Sequence, residues 1–360
     1  MQYRYSGERV MNMAAIDIGT NSCRLLVSRV FINPQKRSYL KFNTLPITWK
    51  SIDSFCRIVK LGDGLTKTGT LDQAAIQRTL DALHICYKKI CYYRVNHMRL
   101  VATEACRKAQ NAGELVRAVR NAFNLSVDII TGPEEAELAL LGCCEMLNWR
   151  KPYALIFDIG GGSTEIIWAR LHPEFRHSYL FEPFYEILDA ISLPYGVVTV
   201  NDNLIGYASS EQIFGYIYEK ITQDIKHFSA KNNIDSLIDQ IQMIGSSGTV
   251  TTFGALHLGL ETYDRRRIDG LRVDTKDMIN LCRNLDGNKT QMIPPEFAQR
   301  EDLMNVGGAI LLGIFETLKI PELTIADRGI REGIIVDLIR KHVVPHFSIQ
   351  GKRTQAQGQT

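Results

Sequence analysis

The sequence predicts an α/β protein of two similar lobes with a cleft between them. Three observations carry that expectation. "AAIDIGTNSCRLLV" and "LIFDIGGGSTEIIW" are one device used twice: an apolar strand, a turn beginning Asp-x-Gly, and a second apolar strand. Segments between and after them alternate short apolar runs with helical periodicity. The chain, 360 residues, is long enough to bury two cores.

Residues 1–12 read as a disordered leader that lacks the apolar stretch of a signal peptide, with Met11 or Met13 a candidate start. The N-terminal lobe is expected over 13–132. Its hairpin, "MAAIDIGTNSCRLLVSRV", precedes "LDQAAIQRTLDALHICYKKICYY", whose apolar residues recur at three and four and so form an amphipathic helix. "MRLVATEACRKAQN" is a short strand breaking into a helix that carries Arg107. "LSVDIITGPEEAELALLGCCEML" reads as strand, turn, helix, with Pro133 suited to the first helical turn and Thr131-Gly132 to the cap.

The second lobe, 133–329, opens on the second hairpin. After the helix "SEQIFGYIYEKITQDIKHF" comes a looser echo, "IQMIGSSGTVTTFGAL", an apolar run into a Gly/Ser/Thr turn at 245–249. "DLMNVGGAILLGIFETL" and "GIREGIIVDLIRK" read as buried helices flanking the strand "LTIAD". The final helix, 330–345, is expected to join the first lobe, and 346–360 to form a polar tail. No low-complexity linker separates the lobes, so the chain passes through a tight hinge.

Composition narrows the function classes. The apolar share of 45% and charged share of 22% are those of an ordinary globular protein. A net charge of +3 excludes a broadly basic nucleic-acid binder, while leaving room for a local groove for a polyanion. Eight cysteines are scattered without a C-x-x-C pair, which reads as reduced thiols in a cytoplasm, neither zinc site nor disulfide framework. No apolar run reaches the ~18 residues of a membrane span.

The repeated glycine turns have two readings. Consecutive backbone N–H groups make an anion-binding concavity, glycine lets phosphate oxygens approach, and Asp17 and Asp158 are placed to hold magnesium directly or through water. Alternatively the Asp and Gly only satisfy hairpin geometry. A dinucleotide-binding reading is weaker, because Asp-Ile-Gly-Gly-Gly is not G-x-G-x-x-G and leads into a strand.

"AAIDIGTNSCRLLV", "VATEACRKAQN", "ITGPEEAELALLG", "FDIGGGSTEII", "SLPYGVVTV", "GSSGTVTT" and "DRGIREGIIVDL" occur in that order over roughly 13–340. In these motifs the chain resembles the exopolyphosphatase / guanosine pentaphosphate phosphatase (Ppx/GppA) family in its short two-domain bacterial form. The resemblance implies two ribonuclease-H-like lobes of the actin / sugar-kinase superfamily. It also implies hydrolysis of a terminal phosphoanhydride of inorganic polyphosphate or guanosine pentaphosphate, releasing orthophosphate. Glu135 falls on the catalytic position, and Asp17, Asp158 and Glu165 on those of metal or water ligands. Thr20, Asn21, Ser22, Arg107, Gly160, Gly161, Gly162, Ser163 and Thr164 match the phosphate donors, with Ser247, Gly248 and Thr249 as a third loop. Mg2+ or another divalent cation, a homodimer, a cytoplasmic location, and no nucleic-acid or membrane partner complete the expectation. The alternatives are a nucleotide-binding regulator and a small-molecule kinase of the same superfamily.

Acids at the start of a helix also complement its dipole, and Thr131-x-x-Glu134 reads as a capping box. That explains Glu134 and leaves Glu135 without a structural task. The chain departs from the family pattern in three places. "RRRIDG" stands where many relatives have a His-Gly pair; its arginines either line the polyanion track or are solvated. "DRGIREG" places Arg328 ahead of Gly329, and "HPEFRHSYLFEPFYEILDA" is longer and more aromatic than usual, its rings expected to pack.

Overall fold

Two mixed sheets frame the computed structural model, which describes residues 9–33, 47–176, 178–182, 184–204, 209–284 and 301–345. In the first lobe the strands are β1 (Arg9–Ile18), β2 (Ser22–Ile32), β3 (Ile47–Ile58), β4 (His97–Ala102) and β5 (Asp128–Ile129), in the order β3-β2-β1-β4-β5. In the second they are β6 (Tyr153–Ile159), β7 (Thr164–Leu171), β8 (Tyr185–Leu193), β9 (Ile241–Ser246), β10 (Arg272–Asp274) and β11 (Glu322–Ala326), ordered β10-β11-β9-β6-β7-β8. Each sheet starts as an antiparallel meander, β1-β2-β3 or β6-β7-β8. Each then grows by parallel strands on the other side of its first strand, β4 and β5 or β9 and β11. The duplication read from two hairpins is thus a duplication of whole sheets.

One boundary differs from expectation. β1 begins at Arg9, which pairs with Ile32, so residues 9–12 belong to the sheet and not to a leader. The rest of the expected leader, 1–8, and the tail, 346–360, lie outside the described residues.

Helices fill three layers around these sheets. α1 (Gln73–Tyr92), α2 (Glu104–Lys108) and α3 (Ala112–Phe123) belong to the first lobe. Asp72 caps α1 by accepting from the Ala75 N–H, and Ala75, Ile76, Thr79, Ala82, Leu83, Cys86 and Ile90 form its buried stripe. With α3 this stripe covers the outer face of the first sheet. α4 (Gly132–Gly142) crosses between the lobes. On the outer face of the second sheet lie α5 (Ser210–Asn232), α6 (Ser247–His257) and α7 (Glu301–Leu318). The Ser209 and Gln212 side chains close a reciprocal capping box at the start of α5. The last helix, α8 (Ile330–His342), lies beside α4.

α4 and α8 form the middle layer. Leu138, Ala139, Leu140 and Leu141 are buried at consecutive positions, so α4 has no solvated face there; a helix apolar all round must be covered all round. The cover comes from both sheets: Met13 and Leu26 on one side and Ile156 and Ile167 on the other share a single core with α4 and α8. Each fully buried Leu or Ile contributes roughly 1.5–3 kcal/mol. The helix backbones touch. A Cβ on Gly142 would lie 2.0 Å from the Gly329 carbonyl oxygen, and one on Gly333 would lie 1.9 Å from that of Leu138. The aromatic excursion after β7 joins the same core through Tyr179, Leu180 and Phe184; His177 and Pro183 within it lie outside the described residues.

Candidate active site

The two Asp-x-Gly turns are built alike. The Gly19 N–H donates to the Ser22 carbonyl at 2.9 Å, and the Gly160 N–H donates to that of Ser163 at 2.9 Å. Strand register sets Asp17 opposite Arg24 and Asp158 opposite Glu165. The turns meet across the cleft. A Cβ on Gly162 would lie 2.4 Å from Thr20 Oγ1, and one on Gly161 would lie 3.0 Å from the Asn21 Cβ. The two positions are glycine because the opposing turn occupies the space of a side chain; neither backbone is left-handed. The opening lobe's turn is held from behind as well, Val59 and Lys60 N–H groups donating to the Asn21 carbonyl and Gly62 N–H to that of Thr20.

A cavity of about 660 Å³ lies between the lobes at this meeting point. Asp17, Thr20, Asn21, Ser22, Glu135, Asp158, Gly160, Gly161, Gly162, Ser163, Glu165, Ser247, Gly248 and Thr249 all line it. Two residues expected with them do not line it. The Thr164 hydroxyl donates to the Tyr195 carbonyl at 2.7 Å, which fixes the hairpin. Arg107 stands behind the wall, on Glu135. The third loop is also not a free turn: β9 runs directly into α6, with Ser247 at φ 101° and Gly248 and Thr249 in the first helical turn. The start of α6 therefore presents backbone N–H groups to the cavity, a favourable place for an anion.

Glu135 is the buried acid of α4, 6% exposed. Arg107 Nη1 donates to its Oε2 at 2.6 Å and to the Ile130 carbonyl at 2.9 Å, while Nη2 donates to Glu104 Oε2 at 2.8 Å. The expected phosphate clamp is thus occupied by two carboxylates, its fork locked between α2 and α4. Glu134 points elsewhere: its N–H donates to the Thr131 hydroxyl, but its carboxylate pairs with Arg99 and does not close the capping box. Burial, then the neighbouring Glu165 charge, pushes Glu135 well above the usual carboxylate range, with Arg107 opposing.

The other three acids expected at the site also hold their protons more tightly than usual. Burial raises Asp17 to about 6, against the pull of Arg24 and Arg331. Burial raises Asp158 too, opposed by the Ser246 hydroxyl 3.0 Å from its Oδ2. Glu165 is pushed by burial to about 7, although the Ser163 and Ser192 hydroxyls both donate to its Oε1. Asp17 Oδ1 is buried with no hydrogen-bond partner. Among the described residues no three His, Cys, Asp or Glu side chains converge into a preformed metal cage.

Sequence reasoning passed over Arg24, Glu104, Ser246, Asp327 and Arg331, which also line the cavity. Arg24 was within reach, since it follows Asp17 at the spacing at which Glu165 follows Asp158. The arginines of "RRRIDG" line no part of it: Arg265 pairs with Asp327 and Glu332, and Arg266 is 94% exposed in its side chain.

A double hairpin cradle with a buried glutamate in its wall is the site of a phosphoryl-handling enzyme, and comparison with known proteins agrees. The model of the Ppx/GppA phosphatase family matches residues 49–342, and the chain belongs to that family, whose members are hydrolases. It is 25% identical to "Exopolyphosphatase 2" of Mycobacterium tuberculosis, over 91% of this chain and 98% of that one. It is 27% identical to a guanosine-5'-triphosphate,3'-diphosphate pyrophosphatase of Aeromonas salmonicida, over 91% of this chain but only 59% of that longer protein. Among solved structures, the Aquifex aeolicus PPX-GPPA enzyme superposes with a TM-score of 0.67 at 25% identity, covering 91% of this chain and 99% of that one. An exopolyphosphatase from Cytophaga hutchinsonii gives a TM-score of 0.74 at 20% identity, covering 92% and 99%, a likeness of fold.

Proposed function

We propose that this chain releases the terminal orthophosphate of inorganic polyphosphate, of guanosine pentaphosphate, or of both, by attack of a water that Glu135 orients and deprotonates. One observation carries the reading. The Glu135 carboxylate, its proton affinity raised by burial well above the usual carboxylate range, lines the same cavity as both glycine turns. The terminal phosphoryl group sits in the cavity beside the turns, and N–H groups of 20–22, 161–163 and the start of α6 take its equatorial oxygens. Glu135 accepts a proton as the water oxygen bonds to phosphorus. The bridging P–O bond breaks, and the shortened anhydride leaves with the electron pair. Arg107 holds Glu135 in place and favours its ionised form.

Asp17 and Asp158 would hold a divalent cation, magnesium by preference. The orphaned Asp17 Oδ1 and the absence of a three-ligand cage among the described residues suit an ion that takes one or two carboxylates and fills its shell with water and phosphate. When bound, such an ion offsets the charge of the phosphoryl group. Glu165, locked by two serine hydroxyls, sets the field around Glu135. The decisive experiment measures orthophosphate from long polyphosphate, short polyphosphate and guanosine pentaphosphate with no added acceptor, for the wild type and Glu135→Gln. Release by the wild type alone supports the reading; phosphate transferred only to an added acceptor would overturn it.

A further inference from the structure

Arg328 is the residue by which this chain departs from the family's loop, and its surroundings give it a task. We propose that it is a positioning residue, a cross-brace that fixes the loop over Asp158 to the far end of the Glu135 helix. This rests on the proposed reaction for its kinetic reading and on geometry alone for the rest. Arg328 Nε donates to Asp269 Oδ2 at 2.9 Å, and Nη1 donates to Glu145 Oε2. Glu145 sits in the single 3-10 turn Cys144–Met146 that follows α4, and Asp269 closes the one-turn helix Arg265–Ile268. The guanidinium therefore ties together three segments far apart in the chain. Both carboxylates hold it firmly protonated despite burial.

The backbone of the same residue reaches the site. The Arg328 carbonyl lies 2.7 Å from the Ser246 hydroxyl, and that hydroxyl lies 3.0 Å from Asp158 Oδ2. The one hydroxyl is thus held between the loop carbonyl and the Asp158 carboxyl, so the position of the loop sets the position of both. Asp269 secures the loop a second time, its Oδ1 accepting from the Asp327 N–H at 3.1 Å. Next along, a Cβ on Gly329 would lie 2.9 Å from Ser246 Oγ and 3.4 Å from Asp158 Oδ2, so the loop rests directly on both. Loss of the side-chain brace frees the carbonyl that holds the Ser246 hydroxyl, and with it the placement of Asp158. A lysine keeps the charge but cannot span two carboxylates with one planar fork.

The test compares Arg328→Ala, Arg328→Lys, Glu145→Gln and Glu145→Gln/Arg328→Ala, using kcat, KM and hydrogen exchange of 326–331. Arg328→Ala is expected to lower kcat by about 10- to 100-fold with KM within about threefold, the scale of a misplaced reacting group. Exchange at 326–331 is expected to quicken while the rest of the chain is unchanged. Arg328→Lys should recover part of kcat, and Glu145→Gln should cost nothing further once Arg328 is gone. Unchanged kcat, a KM that rises in step with the loss, or a loss with global rather than local exchange overturns the brace. If the wild type releases no phosphate from any of the three substrates, the reaction is wrong; local exchange in Arg328→Ala still decides the brace.

Discussion

Arg107 Nη1 and Glu135 Oε2 lie 2.6 Å apart, and that pairing fastens α4, which crosses between the lobes, to the short helix α2 of the first lobe. The arginine touches no cavity wall of its own. Its effect passes through the carboxylate, which it orients and keeps ionisable in a site that burial makes hostile to negative charge.

Glu135→Gln keeps the size of the side chain and one acceptor for Arg107 while removing the base. Orthophosphate release is expected to fall by at least ~10²-fold, the low end of general-base effects, with little change in KM. A variant turning over at near wild-type rate in a steady-state assay would refute the assignment.

Arg107→Ala should act on the pH profile as well as on the rate. The arginine charge lowers the Glu135 pKa, so its loss lets burial and Glu165 raise that pKa further. A smaller fraction of Glu135 is then ionised at neutral pH, and the acid limb of kcat moves to higher pH. An acid limb that stays in place would show that another group limits the reaction.

Glu165 makes stability depend on pH in a definite direction. Its pKa in the fold is about 7, above the ordinary 4.5, so the native state holds a proton that the unfolded chain releases. The stabilisation is complete below about 4.5 and is lost as pH rises through about 7. Glu165→Gln, which cannot ionise, should therefore melt higher than the wild type at pH 8, by a margin that shrinks toward pH 5. Parallel melting curves for the two proteins across that interval would contradict the burial argument.

Removing divalent cations should stop phosphate release, with activity restored by added magnesium. The expectation rests on Asp17 Oδ1, a buried oxygen with no partner in the protein. Full turnover in excess chelator would exclude the role given to Asp17 and Asp158.

Gly333→Ala meets backbone, not a side chain that can swing away, since its Cβ would sit 1.9 Å from the Leu138 carbonyl oxygen. α4 and α8 must separate to admit it. A loss of at least ~2 kcal/mol in denaturant titration is expected, in the range of core overpacking, together with reduced kcat as α4 carries Glu135 outward.

Much of the site was legible because its parts are local. Each Asp-x-Gly hairpin is contiguous, so Asp17, Thr20, Asn21, Ser22 and the 158–163 run announce themselves by pattern, and Glu135 stands out once Glu134 is explained. What depends on contact through space was not legible. The Arg107 fork looked free until α4 was folded against it, and Arg265 looked like an available cation until Asp327 and Glu332 arrived from elsewhere. The glycines were read as room for phosphate, whereas at 161 and 162 they make room for the opposite turn. The third loop was taken for a turn because its Gly and Ser content hides a strand passing into a helix at Ser247.

The middle layer of α4 and α8 has one further consequence. A chain severed after β5 would leave α8 on the fragment opposite the strands it covers, and each fragment would bare an oily slab that normally has a partner. Neither piece can stand as a free-living domain. Mixed together they should reassemble, because the apolar face each piece bares is the one the other covers.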